Sequence, residues 1–257
     1  MKQYQIDTFT EQLFKGNPAA VVPLEQWLDE ALMQSIAMEN NLSETAFFVP
    51  VEGGYQLRWF TPVCEVDLCG HATLAAAYVL FYELGYQGES LCFYTRSGEL
   101  SVIRRDHRME MNFPVQVSTP CIAPLALLAG LGVTPVEVYV AEDYLVVLES
   151  EQQLQALQPD FAKLLQLDCR GVVVTAPGEK VDFVSRFFAP KAGINEDPVT
   201  GSAHCQLVPY WSEKTAKCHF HAKQLSDRGG ELWCQLEVDR VIISGYAVKY
   251  MEAELNV

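Results

Sequence analysis

The chain carries its own plan twice. RWFTP at residues 58–62 returns as RFFAP at residues 186–190, an offset of 128. EVDLCGHA at 65–72 faces EDPVTGSA at 196–203, an offset of 131, with Glu, Gly and Ala held in place. RSGEL at 96–100 faces RGGEL at 228–232, an offset of 132 that Arg108 and Arg240 share. Upstream, VVPLE from Val21 and VVLES from Val146 stand 125 apart. The order is preserved and the offsets only grow, as small insertions in a duplicated unit would produce. Because 257 residues suffice for two domains of ordinary size, the duplication directs the chain toward two similar halves.

Each copy reads as strand, helix, strand, strand, loop, buried helix and hairpin. In the first copy NPAAVVP, TAFFVPV and YQLRWFT are strand-like, and Leu28, Leu32 and Ile36 form an apolar stripe at helical spacing. Gly53-Gly54, Ser97-Gly98 and Gly229-Gly230 are hairpin turn signals, and MEMNF and VIISGY close the copies. The apolar run at residues 74–82 is too short to span a bilayer and reads as a helix buried in protein. Pro114, Pro120 and Pro124 mark residues 114–124 as the linker, which predicts domains over residues 1–116 and 117–257. The fold class expected is α+β with pseudo-two-fold symmetry, corresponding loops converging on a cleft of the kind that takes small molecules.

Charge narrows the partners. With 18 basic and 33 acidic residues the net charge is −15, which repels phosphate backbones and anionic lipid surfaces, so neither nucleic acid nor membrane is expected. The eight cysteines form no CxxC pair and read as reduced, and the first residues lack the apolar core of a secretion signal, so a cytoplasmic protein is expected. No metal or nucleotide cofactor is expected either. A Walker lysine motif and a strand-linked GxGxxG are absent, and on a strand His219 and His221 would share a face that excludes Cys218.

Chemistry concentrates at two points where small residues step into a helix: Cys69-Gly70-His71-Ala72 and Thr200-Gly201-Ser202-Ala203. Glycine there admits a ligand to the backbone, and the N–H groups of a helix start attract a carboxylate; the same residues also serve as plain turns and caps. His71 in a first helical turn would be held neutral, as a structural histidine or as a donor and acceptor for chemistry. Asp197, before Pro198, is either turn chemistry or a second group at the same mouth. Glu44 in NNLSETAFF is either a solvated cap or an acid/base whose pKa is raised by desolvation from Phe47 and Phe48.

GNPAAVV at Gly16, NLSETAF at Asn41, the stretch from Arg58 to GHATLAAA, RFFAPKAGINEDPVTGSAHC at Arg186 and QLSDRGGEL together resemble the PhzF-type phenazine-biosynthesis isomerase family over nearly the whole chain. The resemblance implies a diaminopimelate-epimerase-like fold, two domains each with a curved, barrel-like sheet around a central helix. It implies that Glu44 transfers the proton, that His71 and Asp197 flank it, and that Gly70, Ala72, Gly201 and Ser202 contact a small carboxylate substrate. It further suggests that residues 244–257 return to the first domain and that the protein is a homodimer. Related racemases use one cysteine from each half; here those positions hold Cys69 and Thr200, and a threonine hydroxyl is too weak an acid to serve as the second base. A cofactor-independent isomerase is therefore the leading expectation. An epimerase or racemase of a small acid, or a non-catalytic binding module, is the alternative.

Overall fold

The duplicated sequence folds into duplicated strand pairing. The computed structural model describes residues 1–257 and divides into two units, Met1–Asn112 with Ser244–Val257, and Phe113–Ile243. The first contains β1 (Lys2–Thr8), β2 (Asn17–Pro23), α1 (Glu30–Asn40), β3 (Glu44–Val51), β4 (Gly54–Phe60), β5 (Glu65–Val66), α2 (Gly70–Tyr78), β6 (Ser90–Thr95), β7 (Gly98–Arg105) and β8 (Arg108–Pro114). In it β1 is antiparallel to β2, β2 parallel to β3, β3 antiparallel to β4 and β4 parallel to β6; β6, β7 and β8 continue antiparallel.

The second unit contains β9 (Thr119–Pro120), α3 (Leu125–Leu131), β10 (Glu137–Val140), β11 (Tyr144–Val147), α4 (Glu151–Gln155), α5 (Phe161–Leu164), β12 (Val172–Pro177), β13 (Phe183–Ala189), β14 (Ile194–Asp197), α6 (His204–Thr215), β15 (His219–Gln224), β16 (Gly230–Leu236) and β17 (Arg240–Gly245). Here β10 is antiparallel to β11, β11 parallel to β12, β12 antiparallel to β13, β13 parallel to β15 and β15 antiparallel to β16. The order of parallel and antiparallel pairs is that of the first unit. Each parallel pair needs a crossover, and helices supply it in both copies. The last strand, β18 (Ala247–Glu254), pairs antiparallel with β1, so the C-terminus belongs to the first unit's sheet. The architecture is α+β.

Local chemistry explains the elements. In α1 the Asp29 side chain accepts from Ala31 N–H at the helix start, and Met33, Ile36 and Ala37 form the buried face. The Leu28, Leu32, Ile36 stripe is corrected accordingly: Leu28 precedes the cap and packs beside the helix against the same apolar cluster. The linker also departs from expectation, because Thr119–Pro120 forms β9 against β10. Gly98 and Gly229 sit at φ +101° and +66° at the tips of the matching hairpins, a conformation that RSGEL and RGGEL meet with glycine.

α2 is buried from Gly70 through Ala77 and packs on β1, β2 and β3. Its alanines let the backbone approach the sheet closely, so this helix cannot accept larger side chains without strain. In the second unit Trp211 of α6 stacks on Phe183 at 5.7 Å and donates from Nε1 to Thr175 Oγ1 at 3.0 Å. A twin ion pair ties each fourth core strand to the segment leading to the helix. Arg58 Nε and Nη2 donate to Glu65 at 2.7 and 2.6 Å, and Arg186 Nε and Nη2 donate to Glu196 at 2.7 and 2.8 Å. The planar fork matched to a carboxylate fixes where each chain turns toward its helix.

Candidate active site

In the first unit, three sequence-distant residues meet because β2, β3 and the start of α2 are neighbours. Glu44 opens β3 opposite Ala19 of β2, two residues after Asn17, and His71 is the second residue of α2. Asn17 is fully buried, its carbonyl accepting from Thr8 Oγ1 at 2.9 Å. Its Nδ2 lies 3.2 Å from His71 Nδ1. An amide nitrogen only donates, so Nδ1 accepts and the ring proton resides on Nε2. That Nε2 is 3.3 Å from Glu44 Oε2, within reach but without the alignment of a closed hydrogen bond. Catalytic contacts are commonly loose before substrate arrives.

Burial pushes the His71 pKa down to about 3, so the ring is neutral at ordinary pH. A neutral imidazole beside a carboxylate leaves that carboxylate its basicity. Glu44 retains 13% side-chain exposure, enough to meet a ligand. Cys69 Sγ, the residue before α2, is 3.5 Å from His71 Nδ1. The donors of Glu44, Cys69 and His71 lie within 4.8 Å of one another, a set that could hold a metal ion. The two partners address different ring nitrogens, however, and one ion binds only one of them; the arrangement suits proton movement better than chelation. Gly70 and Ala72 share this first turn, whose leading N–H groups have no partner within the helix.

The second unit builds the corresponding turn from locked polar contacts. Thr200 Oγ1 donates to Asp197 Oδ2 at 2.5 Å. Gln224, almost fully buried at the end of β15, accepts from Thr200 N–H at 2.9 Å and donates to Asp197 O at 2.8 Å and Thr200 Oγ1 at 3.2 Å. Ser226 Oγ donates to Pro198 O at 2.8 Å. His204, fully buried, is 2.9 Å through Nδ1 from Thr200 O, so Nδ1 carries its proton, and burial pushes its pKa down to about 4. The helix begins one turn later than in the first copy. Thr200–Ala203 form a turn whose Gly201, Ser202 and Ala203 N–H groups go to no backbone carbonyl, and α6 starts at His204.

Of the expected residues, Glu44 and His71 are brought together within the first unit, and Asp197, Gly201 and Ser202 lie on one short stretch of the second. Four polar residues holding them were not singled out from sequence: Asn17, Gln224, Asp143 and Arg170. Asn17 and Gln224 stand inside GNPAAVV and QLSDRGGEL, where a signal existed. Asp143 and Arg170 carry none, being loop residues 27 positions apart joined only by folding.

The family described as PhzC-PhzF, phenazine biosynthesis-like protein, matches residues 6–253. An uncharacterized isomerase of Pseudomonas aeruginosa is 53% identical over 253 residues, covering 98% of each chain. The crystal structure of a phenazine biosynthesis protein of the PhzF family from Enterococcus faecalis superposes with a TM-score of 0.97 at 47% identity, covering 100% of this chain and 99% of that one. A probable proline racemase from Agrobacterium radiobacter K84 superposes with a TM-score of 0.65 at 9% identity, covering 100% and 93%, a likeness of fold alone. No helix is long and apolar enough to cross a membrane.

Proposed function

The chain belongs to the PhzC-PhzF, phenazine biosynthesis-like family and is an isomerase of the isomerase/epimerase kind, and from that premise we propose that Glu44 is the general acid/base that moves a proton between carbons of a small carboxylate-bearing metabolite. Glu44 as carboxylate takes the proton from an acidified C–H. The electron pair passes into the conjugated frame of the substrate, and the Glu44 carboxylic acid returns the proton to another carbon. Atoms and charge balance with no other reactant. His71, neutral and protonated at Nε2, closes its 3.3 Å contact on the carboxylate when substrate binds and then fixes its orientation. Asp197 assists through the locked Thr200 turn. Ser202, with the Gly201 and Ala203 amides, holds a substrate carboxylate, while the amides of Gly70 and Ala72 stabilise developing negative charge.

The observation that carries this reading is the chain Asn17 Nδ2 to His71 Nδ1, then His71 Nε2 to Glu44 Oε2, because it fixes the tautomer whose N–H nitrogen lies 3.3 Å from the proposed base. Its test is incubation with a metabolite mixture in deuterated water. The protein as isolated should label a compound by mass, and Glu44→Gln should lower labelling by about a thousandfold while still retaining that compound on the protein. Labelling that survives the substitution rejects the assignment.

A second reading makes Cys69 the base, favoured by its place before α2 and its 3.5 Å contact with the His71 ring. It predicts loss of labelling in Cys69→Ala with Glu44→Gln intact, the opposite pattern. Thr200 at the matching position of the second copy leaves that mechanism without its second thiol.

A further inference from the structure

Arg170, in the loop before β12, makes contacts that its exposure does not explain. Its Nε donates to Asp143 Oδ1 at 3.0 Å, its Nη2 donates to Asp143 Oδ2, and its Nη1 donates to Ser202 Oγ at 3.0 Å. Asp143 is fully buried, and its carbonyl accepts from Gln206 Nε2 of α6 at 3.1 Å, so the anchor is fixed at both ends. The Phe187 ring lies 5.5 Å from the guanidinium carbon. Gly171 presses against that ring so closely that a Cβ there would come within 2.4 Å of Phe187 Cζ. The guanidinium is therefore held by the Asp143 carboxylate and the Phe187 ring, with Glu142 Oε1 3.6 Å from Nε, and of the three N–H donors that Asp143 leaves, one on Nη1 goes to Ser202.

A guanidinium has donors and no acceptor. The Nη1 contact thus occupies a lone pair of Ser202 Oγ and leaves the hydroxyl proton to be given elsewhere. Beside it the Gly201, Ser202 and Ala203 amides go to no backbone carbonyl. We infer that Arg170 is a positioning residue that turns the Ser202 hydroxyl proton away from the guanidinium, so that Ser202 meets substrate as a donor and this turn favours a group that accepts: a carboxylate or an enolate oxygen. The inference rests on the reading in which Ser202 contacts substrate. Lysine cannot replace it, because one ammonium lacks the fork that grips Asp143 while reaching Ser202.

The test has two arms that fail separately. In Ser202→Cys the introduced thiol accepts from Arg170 in place of the hydroxyl. Its thiolate absorbance, read as a difference against the unsubstituted protein, should titrate about one pH unit or more below that of the same substitution combined with Asp143→Asn and Arg170→Met. Removing both charges together avoids leaving a buried carboxylate unpaired, and Cys205, pushed up to about 12 by burial, is silent in this window. Equal midpoints overturn the inference.

In the second arm, turnover of the compound labelled in deuterated water is followed. Arg170→Lys should raise KM about tenfold at nearly constant kcat. The same substitution should add nothing further once Ser202→Ala is present. Additive losses would show that Arg170 acts elsewhere and overturn the inference. Persistent labelling in Glu44→Gln would reject the proposed acid/base while the thiol titration still judged Arg170.

Discussion

The two halves share their strand pairing and their Arg–Glu clamp, and differ where each polypeptide turns into its helix. In the first, Asn17, His71 and Glu44 form a short line of groups that can pass or hold a proton, and the last contact is loose at 3.3 Å. In the second, Thr200, Asp197, Gln224 and His204 are joined by contacts of 2.5 to 3.2 Å. Each turn also holds a buried neutral histidine, but the proton sits on Nε2 in His71 and on Nδ1 in His204. The duplicated frame thus differs at its helix starts: one carries a loose contact between ionisable groups, the other a closed set of hydrogen bonds.

The largest expected effect comes from inverting the first turn. Asn17→Asp places an acceptor beside His71 Nδ1, draws the ring proton there, and leaves Nε2 as an acceptor facing Glu44. Turnover should fall by about 100- to 1,000-fold, and nitrogen NMR of the His71 ring should show the proton moved to Nδ1. An unchanged tautomer would break the contrast between the halves.

Next is the brace of the second turn. Gln224→Leu removes three hydrogen bonds of a buried side chain and should cost roughly 3 kcal/mol of stability, read as a lowered denaturant midpoint. The thermal midpoint should fall with it. A neutral outcome would mean that the Thr200 turn holds itself.

Acid should expose the histidines buried at the two helix starts. His71 and His204 have pKa values near 3 and 4, pushed down from 6.5 by burial. The unfolded chain binds more protons between those limits, so stability is full above about pH 6.5 and is lost as pH falls toward 4. The loss attributable to His204 is on the order of 3 kcal/mol by pH 4. His204→Gln should flatten that part of the curve and leave the part due to His71.

The smallest effect separates the twin clamps. Arg58 binds Glu65 and Glu30, whereas Arg186 binds Glu196 and also donates to the Leu154 and Leu157 carbonyls at 3.3 and 3.0 Å. Arg186→Met strands the Leu157 carbonyl, a loss that Arg58→Met does not cause, and should be worse by about 1 kcal/mol in paired thermal melts.

What sequence revealed was periodic or repeated. The Arg58 and Arg186 motifs, the hairpin glycines and the buried alanine helix are local patterns, and the motifs and hairpins have visible partners 128 to 132 residues away. Glu44, His71, Asp197 and Ser202 stood out because chemistry-bearing side chains sit beside glycine, before proline or ahead of an apolar strand. Their supporting contacts were hidden for a physical reason. Arg170 reaches Asp143 and Ser202 from 27 and 32 positions away, and Gln224 closes on Thr200 across 24, distances over which no local pattern operates. Leu28 joins the apolar spacing of α1 without belonging to the helix, because it packs on the same cluster while the Asp29 cap sets the boundary.

The division of labour is tested most directly by steady-state kinetics on the compound labelled in deuterated water, comparing Glu44→Gln with Ser202→Ala. Glu44→Gln should lower kcat by about a thousandfold with binding nearly unchanged, and Ser202→Ala should weaken binding about tenfold with kcat nearly unchanged. Near-normal kcat in Glu44→Gln, or a loss confined to kcat in Ser202→Ala, would contradict the assignment of chemistry to the first half and grip to the second.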